Sequence, residues 1–443
     1  MGRNMRKSIN AKILGAATFC VALYGAASAA DIAVIHAGRL LATPGGAVTN
    51  EQTIIIRDGV IASVTSGYSD APAAGPDDHV VLHDLKDHFV LPGLIDSHVH
   101  LTGELGPNGK LAIVENSDAD TTIVAARYAK RNLMAGFTTV RDVGAQGDDA
   151  IFALRDGVAR GDVVGPRIFA SGHTISPTGG HGQRHGYRND VFDAIKASGV
   201  CDGVAECRKA VREQVRRTAD HIKLVSTGGV LSETAAGTGQ QFFDDELKAI
   251  MDSAHAMGRK VTAHAHGADG VNAALRAGVD SIEHGTFSDS ESFRLFKRNG
   301  AYLVPTILAG VTVAELADDP ESFLPPPVRE KAKLVGPQIL EMTKAAHKAG
   351  VKIAFGTDTG VSKHGDNARE FSLLVEAGMT PMEAIRSATV VAAEHLGHYD
   401  KFGSIEAGKS ADIIAVDGDP LADVTELEDV DFVMKEGVAY KAP

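Results

Sequence analysis

The chain has 443 residues, 44% of them hydrophobic, with 48 glycines and a formal net charge of −13. That length suits one large domain plus a smaller module, and the composition is that of a globular α/β protein. The acidic balance, the absence of tryptophan and an aromatic content of 5% argue against nucleic-acid binding, which needs a basic surface and stacking rings.

Arg3, Arg6, Lys7 and Lys12 precede an apolar stretch from Ile13 to Tyr24, followed by Ala27-Ser28-Ala29. This basic, apolar, small-residue layout predicts a secretory signal peptide over residues 1–29, cleaved near Ala29. The expected product is secreted or periplasmic, with no stable membrane insertion after cleavage. The apolar run is shorter than the roughly 20 residues a spanning helix needs, an uncleaved anchor being the competing reading. Cleavage would remove four positive charges and no acid, taking the net charge to about −17. Cys20 lies in this segment, and Cys201 and Cys207 form no Cys-x-x-Cys metal motif. In an exported chain these two are either a local disulfide or two free thiols.

From Asp31 to about Val90 the sequence reads as short strands, among them Ile32–Ile35, Thr53–Ile56 and Gly59–Val64, separated by Gly, Asp and Asn turns. The same style returns in Ala411–Val416 and Asp431–Lys435. The expected result is a small β-sandwich domain assembled from both ends of the chain, residues 30–93 and 404–443. Between them, eight short apolar runs alternate with helical patterns such as Asp245–Met257 and Val271–Ala277. The runs are Leu94–His98, Phe137–Asp142, Arg167–Ala170, His221–Val225, Lys260–His264, Ser281–His284, Tyr302–Thr306 and Lys352–Gly356. Eight β/α units predict a (β/α)8 TIM barrel over residues 94–403.

In such a barrel, chemistry collects at the C-terminal ends of the strands. The polar residues there are His98, His100, Lys223, His264, His284 and Asp358. Side chains two apart on a strand point the same way, so His98 and His100 aim two imidazoles at one point. Singly, each histidine reads as a hydrogen-bonded loop residue and Asp358 as a helix N-cap; six on five strands read as a divalent-metal site. Lys223 has donors only and cannot ligate a cation as an ammonium. Carboxylation by CO₂ would convert it into a bridging carbamate; otherwise it binds a substrate anion. His266 shares the parity of His264 and reads as a substrate contact or a loop histidine. His181, among the glycines of Thr178–Gly182, and His364, after the last strand, are candidate substrate contacts with structural alternatives. Arg184, Tyr187 and Arg188 are candidates for a substrate carboxylate.

On these residues the chain resembles the amidohydrolase superfamily in its binuclear branch. The matching residues are Pro92–His100, Lys223, His264, His284, Gly356-Thr357-Asp358 and the return strand Gly403–Asp412. It is similar within that superfamily to the prolidase-like group, Xaa-Pro and Xaa-Arg dipeptidases with ochratoxin-hydrolysing amidohydrolases as relatives. The local patterns are His221-Ile222-Lys223 with Ser226-Thr227-Gly228-Gly229, His264-Ala265-His266-Gly267, Ser281–Gly285 and His364-Gly365-Asp366-Asn367. Imidazolonepropionases lack the bridging lysine, so Lys223 argues against them.

The resemblance implies two divalent ions, taken as Zn²⁺. His98, His100 and Asp358 would hold the first, His264 and His284 the second, with carboxylated Lys223 bridging. Asp358 would be the catalytic base and then acid, and His266 would assist at the carbonyl. The implied substrate is a small-molecule amide or dipeptide ending in an amino acid, ochratoxin A included, with cyclic amides and lactones as alternatives. A homo-oligomer is expected. A non-catalytic metal- or ligand-binding barrel is the competing class, opposed by the presence of all six ligand positions.

Overall fold

The structure, a computed structural model, describes residues 30–70, 75, 78–195, 198–233 and 237–443. The predicted signal peptide lies outside the described residues. Runs of β-branched residues form β1 (Asp31–Leu40), β2 (Thr49–Arg57), β3 (Val60–Ser66) and β4 (His79–Pro92). The eight apolar runs of the middle segment follow as β5 (Leu94–Val99), β6 (Phe137–Asp142), β7 (Arg167–Ala170), β8 (Ile222–Val225), β9 (Val261–Ala265), β10 (Ser281–His284), β11 (Tyr302–Val304) and β12 (Lys352–Ile353). The chain returns through β13 (Ile413–Val416), β14 (Phe432–Lys435) and β15 (Val438–Lys441).

The end strands make one seven-stranded sheet in the order β15-β14-β13-β4-β1-β2-β3. The module expected from both chain ends is thus one sheet, bent so that its β2–β3 turn meets its β14–β15 turn. A Cβ on Gly59, in the β2–β3 turn, would lie 2.6 Å from the carbonyl oxygen of Glu436; one on Gly437 would lie 2.7 Å from the Gly59 Cα. Both glycines have positive φ, 80° and 79°, so the contact between the two turns needs residues without side chains. Inside the bend, Ile35, Ile54, Ile61, Ile413, Phe432 and Met434 share one core.

The middle strands are parallel and lie in two arcs, β5-β6-β7 and β8-β9-β10-β11-β12. Single bridges join the arcs at both seams, Ile175 to Leu224 and Val99 to Thr359, and the Ser97 N–H donates to the Phe355 carbonyl at 2.9 Å. β11 and β12 are shorter than their sequence runs. Pro305 has no N–H to continue a ladder, and beyond Ile353 the Phe355 N–H turns to the Ser387 carbonyl instead. The helices between the strands are amphipathic. Asp244–Ala256 opens with Asp244, Asp245 and Glu246 at its positive end and buries Leu247, Ile250, Met251 and Ala254 at helical spacing. Cys201 and Cys207 are joined in a disulfide. Among the described residues, no helix is long and apolar enough to cross a membrane.

Candidate active site

The strand ends open into one cavity of about 570 Å³. Its wall carries all six predicted ligands, His98, His100, Lys223, His264, His284 and Asp358, together with His181 and His266. Residues more than 250 positions apart in sequence converge there because every barrel strand points the same way.

β5 delivers the first pair. His98 Nδ1–H donates to Glu283 Oε2 at 2.7 Å, and His100 Nδ1–H donates to the Gly144 carbonyl at 2.7 Å. With its proton committed on Nδ1, each ring turns the lone pair of Nε2 inward. Both Nε2 atoms face the same atom, Asp358 Oδ1, at 3.4 and 3.2 Å. That oxygen is buried and has no hydrogen-bond partner. Three electron-pair donors aimed at one another repel unless a cation lies between them, and His98, His284 and Asp358 offer ligand atoms within 4.8 Å of one another. These residues fit a metal ion.

The second cluster is built the same way. His284 Nδ1–H donates to Thr306 Oγ1 at 2.7 Å, since that hydroxyl spends its own proton on the Pro305 carbonyl. The His264 ring lies 4.7 Å from that of His284 and 4.4 Å from that of His181, and His266 stacks on His284 at 5.0 Å. Burial keeps these imidazoles neutral: His264 and His284 sit well below the usual histidine range, His266 is pushed down to about 4 and His181 to about 3. Neutral rings are what a cation requires. Gly229 makes room for His181, because a Cβ there would fall 2.3 Å from the ring. Lys223, 4% exposed, is lowered by burial to about 8, so its amine loses the proton far more readily than a surface lysine.

Backbone strain collects at the same place. His284, Thr306 and Asp358 are buried non-glycine residues at φ 70°, 55° and 58°, a conformation that persists only where the surroundings enforce it. Asp96 supplies one such constraint. Its carboxylate accepts from the backbone N–H of His98 (3.0 Å) and of Thr357 (3.1 Å), from Thr357 Oγ1 (2.6 Å) and from Asn367 Nδ2 (2.7 Å). It therefore clamps the turn bearing His98 to the turn bearing Asp358. Glu370 accepts from the N–H groups of Ile307 (2.9 Å) and Leu308 (2.7 Å), which fixes Thr306 behind His284. Glu283 is held by Arg141 Nη2 at 2.8 Å, by Ser281 Oγ at 2.9 Å and by Thr262 Oγ1. None of these supports was singled out from the sequence. The available signal was a charge inside an apolar strand, which must have a partner.

His364 corrects a sequence expectation. It is buried away from the cavity wall, with Nε2–H donating to the Gly103 carbonyl (2.9 Å), Nδ1 facing Asn132 Nδ2 (3.1 Å) and its ring stacked on Tyr128 (4.5 Å). It braces the rim. Burial pushes its pKa from about 6.5 down to about 4. The unfolded chain therefore binds the proton first, and this residue subtracts stability as pH falls from about 6.5 to about 4, by up to ~3 kcal/mol. Urea midpoints at pH 7 and pH 5 should show His364→Gln flattening that decline; an unchanged slope would refute the assignment. Arg188 is exposed and paired with Asp190 at 2.8 Å, outside the cavity wall. Tyr187 lines the cavity with its hydroxyl donating to the Lys110 carbonyl at 2.7 Å, and Arg184 lines it as well.

Fold and rim together define a class, the TIM-barrel hydrolases acting on C–N bonds. Residues 89–439 match the profile of the Amidohydrolase family, and the chain belongs to that family. An ochratoxinase from Aspergillus niger is 34% identical over 436 residues, covering 94% of this chain and 88% of that protein. The crystal structure of a Xaa-Pro dipeptidase with methionine bound in its active site superposes with a TM-score of 0.87 at 43% identity, over 93% of this chain and 100% of the other. A prolidase complexed with N-methylphosphonate-L-proline follows at 0.83 and 32%, over 93% and 100%. The chain is an amidohydrolase for amide or peptide bonds.

Proposed function

We propose that this protein is an exported, binuclear Zn²⁺-dependent amidohydrolase that releases a C-terminal amino acid from a dipeptide or N-acyl amino acid. The observation that carries the metal reading is the partnerless Asp358 Oδ1 facing the Nε2 atoms of His98 and His100. His98, His100 and Asp358 would hold one ion and His264 and His284 the other. The lowered Lys223 amine suits carbamate formation: nitrogen would bond to the carbon of CO₂ with loss of a proton, giving an anionic group that would help hold the ions. Such ions supply charge that polarises the scissile carbonyl and acidifies water. Asp358 accepts a proton from the attacking water and returns it to the leaving nitrogen. His266, neutral and cavity-facing, stands ready as a donor to the carbonyl oxygen. The preference for an amino-acid leaving group is supported by relatives whose sites hold methionine or a proline phosphonate. Export rests on the predicted leader of residues 1–29.

The test combines metal analysis with a substrate screen. About two equivalents of Zn²⁺ per chain, activity abolished by a chelator and restored by the metal, and turnover of Xaa-Pro, Xaa-Arg, Xaa-Phe or N-acyl amino acids including ochratoxin A are the expected results. A fully folded, metal-free protein with no such hydrolysis would overturn the proposal.

A further inference from the structure

The cavity carries three long cationic side chains, Lys110, Arg184 and Lys223. Lys110 pairs with Glu233, and Lys223 sits at the floor among the imidazoles. Arg184 differs from both. Among the described residues it makes no ion pair and no hydrogen bond, and its Nε is buried without a partner. Burial lowers the guanidinium from its ordinary value, and the neighbouring Tyr187 phenol, neutral at pH 7, supplies no counter-charge. A guanidinium kept half-buried without a counter-ion is costly unless an anion arrives with the ligand. Its position suits that role. Arg184 lies three residues from His181, whose ring is 4.4 Å from that of His264. The loop carrying both is tied down, the His181 N–H donating to Gln241 Oε1 at 2.9 Å. Part of the cavity wall is apolar, formed by Val230, Val313, Leu324, Val328 and Val335, and offers a carboxylate nothing.

We propose that Arg184 is the specificity-determining residue that receives the free α-carboxylate of the leaving amino acid, with the apolar wall taking the rest of the substrate. The inference rests on the amino-acid leaving group proposed above and adds the residue that enforces it. The planar fork of arginine matches a carboxylate bidentately; lysine offers only a point charge. A substrate whose terminal carboxylate is capped as a carboxamide forfeits that pair, which corresponds to roughly a 30-fold loss in kcat/KM.

The experiment compares wild type, Arg184→Gln and Arg184→Lys on an N-acyl amino acid and its C-terminal carboxamide. The same three proteins are titrated by calorimetry with L-proline and L-prolinamide, a readout independent of turnover. Wild type should prefer the acid by roughly 30-fold in kcat/KM and bind the free amino acid more tightly than its amide. Arg184→Gln should bring both preferences below about 3-fold with an unchanged melting curve, and Arg184→Lys should keep an intermediate preference. Acid-over-amide ratios in Arg184→Gln equal to those of wild type, in turnover and in binding, would overturn the assignment. Failure to hydrolyse any N-acyl amino acid, with L-proline binding still dependent on Arg184, would instead strike the leaving-group reading and leave Arg184 as an anion site.

Discussion

Asp358→Asn is expected to lower kcat by about 10³- to 10⁴-fold while the protein remains folded. The substitution keeps size and shape, and asparagine is among the residues that tolerate the left-handed conformation Asp358 adopts at φ 58°. What it removes is the charge. Its carboxylate oxygen is the anionic donor that faces the Nε2 atoms of His98 and His100. An amide at this position accepts no proton from water and delivers none to a leaving nitrogen. Steady-state kinetics alongside metal analysis and a melting curve separate the roles. A variant retaining more than about a tenth of wild-type kcat would show that the proton passes elsewhere. One that loses its metal with its activity would assign Asp358 chiefly to ligation.

Arg141→Met is expected to destabilise the fold by about 3 to 5 kcal/mol, the range for uncovering a buried charge. Arg141 Nε donates to the Ser97 carbonyl at 2.6 Å and Nη2 to Glu283 at 2.8 Å, with both residues buried. Burial by itself would push the Glu283 carboxyl up; the Arg141 guanidinium and His98 hold it well below the usual range. Without the arginine that carboxylate has lost its charge partner in the barrel interior. It would reclaim a proton, and the His98 ring would lose the acceptor that fixes its tautomer. The effect should therefore appear twice, as a lower denaturation midpoint and as weaker metal retention. The double variant Arg141→Met/Glu283→Leu should be far less destabilised than the sum of the single variants, because it leaves no orphaned charge. Additive losses would place the cost in packing instead.

The strands were legible because each is a short apolar run ended by a turn or a polar residue, and all eight runs of the middle segment became strands. The ligand candidates were legible for the same reason, since a histidine at the end of such a run stands out. Their supports were not. Asp96, Arg141 and Glu283 lie inside runs that already counted as strand, and the contacts that join them to other parts of the barrel span long stretches of sequence, 142 residues from Arg141 to Glu283 and 271 from Asp96 to Asn367. His364 misled because a histidine after the last strand is compatible with either face of the rim; only the fold turns it toward Asn132 and the Gly103 carbonyl. Arg184 and Arg188 were indistinguishable four residues apart, and it is Asp190, two residues beyond Arg188, that separates them. That the two chain ends share a sheet was visible in their composition. That the sheet bends to bring two of its turns together depends on Gly59 meeting Gly437, a contact across 378 positions.

The shared sheet also governs the order in which the molecule can be assembled. β4 gains its second neighbour through Val90 with Ala415 and Leu91 with Ile414, partners made some 320 residues later in synthesis. Until then Leu91 and its neighbours offer open hydrogen-bonding groups on an apolar strand, the kind of exposed edge that recruits other chains. Such distant pairing is slow to form, since a long loop must close before any contact rewards it. The barrel can collapse first and present β4 as a template; the last thirty residues then act as a latch that seals it. A chain clipped before β13 would keep every catalytic side chain named above and still carry a permanently sticky seam.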